Sequence, residues 1–335
     1  MDGARHPRRA GILLECQLAT LSTPDSGSST VKYLFQRLLL AVPLLLVISL
    51  AAFVLVHSAP GGPFDRERAP TSPEIERHLR EKYHLDEPIA KQYLRYLGGI
   101  LHGDLGPSLK YRSQTVNDII AQALPVSATL GLLASGFALG VGLPLGFFTA
   151  LRRGGWRESA GSFLALLAVC VPGLILAPLL IMLFGVKWHL LPVGLWESPW
   201  HAVLPTVALG LFYSGKIARL LREGMLGVLQ SEFITAARAR GLRESVLLLK
   251  HALPIALMPV VSYTGPMLAD LLTGSFVVEN IFQIPGLGVF FVNSALNRDY
   301  TVVVGLALLY ATLIIVLNLA VDLAYAWLDP RVKYE

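Results

Sequence analysis

The chain has 335 residues, of which 54% are hydrophobic and only 15% are charged, and its mean hydropathy is +0.58. Soluble globular domains carry about a quarter charged residues, so this composition excludes an ordinary soluble protein and indicates a lipid bilayer as the solvent. The net charge of +5 is uninformative alone, because in membrane proteins the placement of Lys and Arg matters more than their sum.

The first 30 residues differ from the rest of the chain. They are Arg-rich at the start and then rich in Ser, Thr, Pro and Gly. No apolar region precedes a small-residue cleavage site, so we expect no secretory signal peptide. The composition favours a disordered extension over residues 1–30. An alternative is that translation begins at Val31, just before the first apolar run.

Six apolar stretches are predicted to span the membrane. A helix needs roughly 20 apolar residues to cross the hydrocarbon core, because an unpaired backbone amide there costs several kcal/mol. The predicted spans are 38–57, 126–151, 160–186, 198–215, 252–278 and 301–321. The fourth is short, and Lys216 and Arg219 at its end can snorkel to the interface. The sequence therefore predicts an all-α, polytopic protein, with its first span within 31–58 and a core over 126–328.

The segment 59–125 between the first two spans contains helix signals. Ser72-Pro73-Glu74 is typical of a helix start with Pro in the first turn, followed by a helix over 75–84. A second helix is predicted to begin near Asp86-Glu87-Pro88 and to run through Tyr96. We therefore expect a small structured cap.

Basic residues mark one side of the membrane. Lys and Arg are concentrated between spans two and three, between spans four and five, and beside both ends of the six-span region. With six spans all four places lie on the same side, which is the cytoplasm by the positive-inside rule. Both termini, including the tail 329–335, are therefore predicted to be cytoplasmic, and the cap is predicted to be extracytoplasmic.

The cytoplasmic stretch 231–254 combines helix and turn signals. Ser231 is suited to cap a short helix that runs through Arg240. Gly241 fits the position after a helix end, where a left-handed backbone is needed. A second helix is predicted from Glu244 into the fifth span. The expected apolar contact surface comprises Phe233, Ile234, Ala237 and Ala239, and Arg238 and Arg240 supply charge. Such a helix can transmit a displacement that a partner protein causes. The alternative is a basic loop that only satisfies the positive-inside rule.

Asp270 is the one carboxylate well inside a predicted span. Intramembrane acids are costly and are candidates for a translocation path. The alternative is that Asp270 faces a wet cavity or pairs with a polar group in a partner. Prolines within or beside the spans also favour kinked helices around a cavity. These prolines are Pro144, Pro172, Pro178, Pro205, Pro254, Pro259 and Pro266.

Other patterns indicate packing and no catalysis. Gly136-x-x-x-Gly140 and Gly142-x-x-x-Gly146 suit close helix contact. The run 210–216 is close to a phosphate-binding loop, but Ile217 replaces the Ser or Thr that binds magnesium, and no strand precedes it. No His pair has a metal-ligand spacing, and no GxSxG or HExxH is present. We therefore predict no catalytic residues, no metal site and no cofactor in this chain.

The stretch 231–254 also carries a family resemblance. Thr235-Ala236-Ala237-x-x-x-Gly241, with Leu253-Pro254 at the usual distance, resembles the EAA motif of ABC-importer permeases. Thr235 stands where that motif usually has Glu, and His251 stands where Ile is frequent; the peptide-importer branch tolerates both. The accompanying motifs are Ala59-Pro60-Gly61-Gly62-Pro63-Phe64, Lys82-Tyr83-His84-Leu85-Asp86-Glu87-Pro88, Gly103-Asp104-Leu105-Gly106-Pro107-Ser108, Pro285-Gly286-Leu287-Gly288, Leu296-Asn297-Arg298-Asp299-Tyr300 and Leu328-Asp329-Pro330-Arg331.

Together the motifs resemble the B-type permease of oligopeptide and dipeptide ABC importers, the oligopeptide version most, from Val31 to Tyr334. The resemblance implies a type I, MetI-like permease in the bacterial cytoplasmic (inner) membrane. It implies four kinds of partner: a homologous C-type permease that completes the translocation path, two cytoplasmic ATPase subunits that handle ATP and Mg, an extracytoplasmic peptide-binding protein, and the peptide substrate. The implied ATPase-coupling residues are Glu232, Thr235, Ala236, Ala237, Arg238, Arg240, Gly241, Leu253 and Pro254.

Two other functions compete with the importer subunit. A membrane scaffold or sensor would use the same loop for regulation, but it does not need six kinked spans. A stand-alone secondary transporter or channel often shows inverted repeats and paired broken helices. The sequence contains no convincing internal repeat, so the importer subunit is the preferred interpretation.

Overall fold

The computed structural model describes residues 26–58, 77, 81, 86–111, 113–151, 154–272 and 276–328. Within these ranges the chain is helical, and the one strand-like feature is an isolated bridge between Pro107 and Thr115. The predicted all-α class is therefore confirmed. Several predicted features lie outside the described residues, namely the extension up to residue 25, the motifs at 59–64, 82–85 and 329–331, most of the first cap helix and the tail 329–335.

The α-helices follow in chain order as α1 (Ser26–Ser58), α2 (Ile89–Leu101), α3 (Val116–Leu151), α4 (Trp156–Cys170), α5 (Gly173–Leu180), α6 (Val203–Leu229), α7 (Glu232–Ala239), α8 (Glu244–Val246), α9 (Leu253–Ala256), α10 (Met258–Leu272), α11 (Phe276–Ile281), α12 (Leu287–Leu296) and α13 (Tyr300–Leu328). Two segments are π-helical, Ile181–Lys187 and Leu247–Ala252, and Pro199–Ala202 is one turn of 3-10 helix.

The helices account for the predicted spans in three ways. Unbroken segments long and apolar enough to cross a membrane are Leu39–Ser58, Val116–Leu151 and Tyr300–Ala320. Two bent pairs raise the number to five, namely Trp156–Cys170 with Gly173–Lys187, and Glu244–Ala256 with Met258–Ile281. The remaining predicted span, 198–215, lies mostly in α6. That helix continues past Lys216 and Arg219 to Leu229, so these cations lie within the helix and not at its end.

The third predicted span, 160–186, is not one straight helix. The chain turns by 101° between Trp156–Cys170 and Gly173–Lys187. Pro172 causes the break, because its ring disfavours a helical backbone in the preceding residue and its nitrogen donates no hydrogen bond. Val171 is accordingly extended, with φ −83° and ψ 113°.

The fifth predicted span, 252–278, begins inside a π-helical segment and contains a bend of 47° before α10. Pro254 lies in the first turn of α9, and Pro259 lies in the first turn of α10. A missing backbone N–H costs least in a first turn, where that group has no intrahelical partner. The chain therefore bends where the prolines start new helices.

Helices α3 and α6 form the most extensive helix pair of the described part. A Cβ added at Gly142 would lie 2.7 Å from the Ser214 carbonyl oxygen, and one at Gly146 would lie 2.5 Å from that of Ala218. A side chain at either position would force the helices apart. The close contact predicted for Gly142-x-x-x-Gly146 is confirmed. A Cβ at Gly136 or Gly140 would meet nothing within 4 Å in the described part of this chain, so the contact predicted for Gly136-x-x-x-Gly140 is not made within that part and stays a prediction for contact with another subunit.

The predicted second cap helix is confirmed as α2. It begins directly after Pro88 and continues beyond Tyr96 to Leu101. The Tyr93 hydroxyl lies 2.8 Å from Ser49 Oγ of α1, and the Tyr93 ring lies 5.3 Å from the Phe53 ring. The cap helix is therefore held against the first span by both a hydrogen bond and ring packing.

Helix α3 extends into the region predicted as cap. It begins at Val116 and includes Pro125, whereas the sequence placed the start of the core at residue 126. Asp118 accepts hydrogen bonds from the Thr115 backbone N–H at 2.9 Å and from its hydroxyl at 2.7 Å. Thr115 and Asp118 thus start the helix, and the end of the cap and the second span form one rigid element.

Candidate functional site

Helix α7, the predicted coupling helix, begins after an extended Ser231, which has φ −72° and ψ 151°. The predicted cap position is therefore correct, although the side chain bonds elsewhere. Ser231 Oγ donates a 2.6 Å hydrogen bond to the Val228 carbonyl oxygen at the end of α6. This bond fixes the turn between the two helices and so fixes the direction in which α7 leaves the membrane core.

The turn after α7 is a Schellman motif centred on Gly241. The Gly241 N–H donates to the Arg238 carbonyl oxygen at 3.0 Å, and the Leu242 N–H donates to that of Ala237 at 3.4 Å. Gly241 has φ +78°, the left-handed conformation that glycine adopts without a Cβ penalty. Since α8 starts at Glu244, the predicted helix–break–helix shape is confirmed.

The two faces of α7 differ in burial. Ile234 is completely buried and belongs to the main apolar cluster together with Leu247 and Met225. Ala237 is partly buried against the same cluster. Neither residue therefore offers the free contact surface that the sequence analysis assigned to it, because these two side chains anchor the helix to the core.

The outer face of α7 is exposed and combines one aromatic ring with small side chains and long charged ones. Phe233 is 44% exposed. The other residues that are exposed on or just after α7 are Glu232, Thr235, Ala236, Arg238, Ala239, Arg240 and Gly241. The structure thus exposes six of the nine predicted coupling residues on one segment, whereas Ala237 packs against the core, and Leu253 and Pro254 lie farther along the chain.

An ion pair crosses the turn between α7 and α8. Arg238 donates to Glu244 through Nη2 at 2.8 Å and through Nε at 3.2 Å. These hydrogen bonds and the nearby negative charge raise the pKa of Arg238. Both side chains are about half exposed, so the pair contributes little stability, but its bidentate geometry holds the two helices at a defined angle.

The coupling helix is connected to the spans through tightly packed backbone. A Cβ added at Gly224 of α6 would lie 2.6 Å from the Ala256 carbonyl oxygen at the end of α9. Leu253 of α9 packs against the main apolar cluster. The elements on either side of α7, namely α6 and α9, are therefore in direct contact with each other.

Asp270 lies on α10 beside a cavity of about 400 Å³. Its carboxylate accepts a hydrogen bond from the Tyr213 hydroxyl of α6. The cavity is bounded by the break between α4 and α5, and by α6, α10 and α11. Asp270 is the one charged residue among the cavity's described lining residues.

Asp270 is also part of an exposed stripe on α10. The exposed residues Met258, Ser262, Pro266 and Asp270 recur every four positions, so they lie on one face of the helix. A carboxylate facing hydrocarbon is costly. The stripe therefore suits a water-filled path or a protein partner better than lipid.

Glu279 is a buried carboxylate that the sequence analysis missed. It is completely buried on α11 and accepts hydrogen bonds from Ser127 Oγ at 2.8 Å and from the Gly288 N–H at 2.7 Å. A Cβ at Gly286 would collide with its Oε2 atom. The glycines of Pro285-Gly286-Leu287-Gly288 thus make room for this carboxylate. The sequence signal that could have identified Glu279 is an acidic residue directly after an apolar run.

Asp299 joins two of the motifs noted in the sequence. It is completely buried and accepts hydrogen bonds from Ser108 Oγ and from the Leu109 and Lys110 N–H groups at 3.1 and 3.2 Å. The end of the cap is therefore fastened to the start of α13. Across the described ranges, no group of three or more His, Cys, Asp or Glu residues is arranged to hold a metal ion.

The family is decided by two sequence-family models. The model described as "Binding-protein-dependent transport system inner membrane component" matches residues 142–334, and the model of the N-terminal part of such membrane components matches residues 30–131. The chain belongs to this family. As a binding-protein-dependent inner membrane component it is a multi-pass membrane protein, and the predicted family resemblance is confirmed.

Relatives of this membrane component match along almost their whole length. The oligopeptide transport system permease protein OppB of Haemophilus influenzae is 44% identical over 91% of this chain and 100% of its own length. The dipeptide transport system permease protein DppB of Bacillus subtilis is 44% identical over 90% and 98%. OppB of Escherichia coli (strain K12) is 42% identical over 91% and 100%.

Among solved structures, an inward-facing conformation of the MetNI methionine ABC transporter matches 63% of this membrane component and 96% of the compared chain. The TM-score is 0.52 at 18% sequence identity. At this identity the likeness shows the fold, which confirms the predicted MetI-like permease architecture. Both α7 and α10 lie inside the region matched by the family model.

Proposed function

We propose that this chain is the permease subunit of an ATP-driven peptide importer in the bacterial inner membrane. The relatives that match over nearly their full length are named as oligopeptide and dipeptide transport permeases. In this proposal a homologous permease completes the path, two cytoplasmic ATPase subunits supply energy, and an extracytoplasmic binding protein delivers peptide. The chain itself carries out no chemistry. ATP and Mg are bound by the ATPase subunits.

The observation that carries the coupling role is the division of α7 into two faces. Ile234 is completely buried in the core, while Phe233 and Ala236 are exposed on the same short helix. A short helix with its inner side fixed and its outer side free is suited to enter a groove in an ATPase subunit. The small side chains at Ala236 and Ala239 allow close approach of a partner backbone.

Coupling then follows from contacts on both sides of α7. When the ATPase subunits close, they displace α7, and the close contact between Gly224 and Ala256 passes the displacement to α6 and α10. The spans rock between inward and outward openings as rigid bodies. Docking changes this equilibrium only because the ATPase fits one state better than the other.

The orientation of the chain is part of the proposal. Both termini and α7 lie on the cytoplasmic side, and α2 lies outside. The basic residues around α7 support this assignment by the positive-inside rule. Asp270 and the exposed stripe of α10 line the translocation path, since a carboxylate at this depth needs water or a polar partner.

Site-directed cross-linking tests the docking role. In a background with Cys16 and Cys170 replaced by Ser, we expect Ala236→Cys to form a disulfide-length cross-link with a cysteine scan of the ATPase groove. Leu101→Cys, which replaces a residue 86% exposed on α2, is the matched accessible control and should form none. If Ala236→Cys never cross-links in an assembled, transport-active complex, the docking assignment is wrong. Peptide uptake that persists without the ATPase subunits would instead indicate a secondary transporter.

A further inference from the structure

The cavity beside Asp270 has the properties of a cation site. Its walls are largely apolar and aromatic, with Leu209, Phe212 and Phe276 among them. Among its described lining residues the Asp270 carboxylate supplies the one charge. In a space that is mostly apolar, a single carboxylate favours a positively charged group over a neutral or negative one.

The geometry around Asp270 allows it to receive a ligand. Tyr213 donates its hydroxyl hydrogen to Asp270 Oδ2, which orients the carboxylate along the cavity wall. A carboxylate has about four acceptor positions. It can therefore accept hydrogen bonds from an ammonium group while the bond from Tyr213 is kept.

The aromatic cluster beside Asp270 already holds one ammonium group. The Lys216 Nζ atom lies 4.4 Å from the centre of the Phe212 ring and 5.6 Å from that of Tyr263. The Tyr213 and Tyr263 rings lie 6.5 Å apart. This contact shows that the rings stabilise an ammonium group by cation–π interaction, and Phe212 also lines the cavity. The Lys216 charge opposes a second cation at the same ring, so the attraction for a ligand in the cavity comes from the Asp270 carboxylate.

We propose that Asp270, together with Tyr213 and Phe212, forms a site for the primary ammonium group of a peptide in transit, and that the group bound is the free N-terminus. This inference rests on the proposed peptide-import function. It assigns a substrate contact to a cavity whose other described lining residues carry no charge. The site lies between α6 and α10, the two helices that α7 connects, so rocking of the spans changes its geometry.

Uptake in proteoliposomes that contain the complete transporter and its binding protein tests the site. The substrates are tri-alanine, N-acetyl-tri-alanine and N-acetyl-Ala-Lys-Ala. We expect Asp270→Asn to lower tri-alanine uptake about tenfold, which corresponds to about 1.4 kcal/mol, and to leave uptake of N-acetyl-tri-alanine unchanged. Asp270→Glu should retain most of the tri-alanine rate. Glu197→Gln neutralises an exposed carboxylate outside the cavity and should change no rate.

Three results would overturn the inference. An equal loss for all three peptides would make Asp270 a packing residue. A loss confined to N-acetyl-Ala-Lys-Ala would assign the site to lysine side chains. Unchanged uptake of every peptide would remove Asp270 from the path.

A binding measurement separates this inference from the proposed function. With Cys16 and Cys170 replaced by Ser in the purified complex, Phe276→Cys places a thiol in the cavity wall. Tri-alanine amide should slow its maleimide labelling, and N-acetyl-tri-alanine amide should not. Protection without any uptake would refute peptide import and support the site, whereas uptake without selective protection would refute the site alone.

Discussion

Replacing Gly241 by Val tests whether the turn after α7 sets the coupling geometry. A Cβ at this position would meet nothing within 4 Å, so the substitution creates no clash. Its whole effect comes from the backbone, because φ is +78° and a β-branched residue is disfavoured there. The cost of a non-glycine residue in this region is about 1–2 kcal/mol. That energy lowers the equilibrium constant for forming the native turn by roughly 5- to 30-fold.

The expected result is a coupling defect without loss of the protein. We expect Gly241→Val to reach normal abundance in the membrane and to retain the ATPase subunits, while uptake of tri-alanine falls measurably, with an upper limit of about 30-fold set by the change in that equilibrium constant. Gly241→Asn should retain most of the rate, because Asn tolerates the left-handed region. Uptake is measured in proteoliposomes, and ATPase retention is measured by co-purification.

Gly154 provides a matched control. It has φ +76°, and a Cβ there also meets nothing within 4 Å, but it lies in the loop before α4. Gly154→Val imposes the same backbone strain away from α7 and should leave uptake near normal. Normal uptake by Gly241→Val with ATPase bound would refute the reasoning, and so would an equal loss in both variants.

Two further predictions concern packing. Gly146→Val places a side chain against the Ala218 carbonyl oxygen and should lower stability by about 1–3 kcal/mol. Gly140→Val is the control, because a side chain there enters open space. Thermal unfolding in detergent measures both. Glu279→Gln keeps one acceptor oxygen and replaces the other by an NH2 group, so the Ser127 hydroxyl and the Gly288 N–H no longer both have an acceptor. Loss of the acceptor for one buried donor should lower stability by about 1–3 kcal/mol, and a melting temperature equal to that of the unmodified protein would contradict the assigned role.

The features predicted correctly from the sequence depend on local signals. The observed helix–break–helix shape follows from three local signals: Ser231 before α7, Gly241 after it and Glu244 at the start of α8. Each residue affects the backbone conformation only within a few positions of itself. The apolar runs likewise locate the helices, because the length needed to cross a bilayer is fixed. Gly142 and Gly146 were also identified by their spacing.

The features that were missed depend on partners far away in the chain. Glu279 accepts a hydrogen bond from Ser127, and Asp299 accepts one from Ser108. Because these partners are distant in the chain, the residues next to each carboxylate in sequence do not indicate its role. The burial of Ile234 depends on a cluster formed with α6 and the π-helical segment. Apolar composition also does not reveal the direction of a helix after a bend, which is why the break at Pro172 appeared within one continuous span.

The π-helical segment Leu247–Ala252 lies between the coupling helix and the bent fifth span. A π-helical turn holds one residue more than an α-helical turn. Because consecutive residues of an α-helix are rotated by about 100°, one inserted residue changes the rotational phase of the helical turn that directly precedes it. That turn is α8, because the chain breaks at Gly241, so the segment sets the side of α8 from which Glu244 meets Arg238. Deletion of a single residue there would turn Glu244 away from Arg238 while buried Ile234 kept α7 anchored in the core.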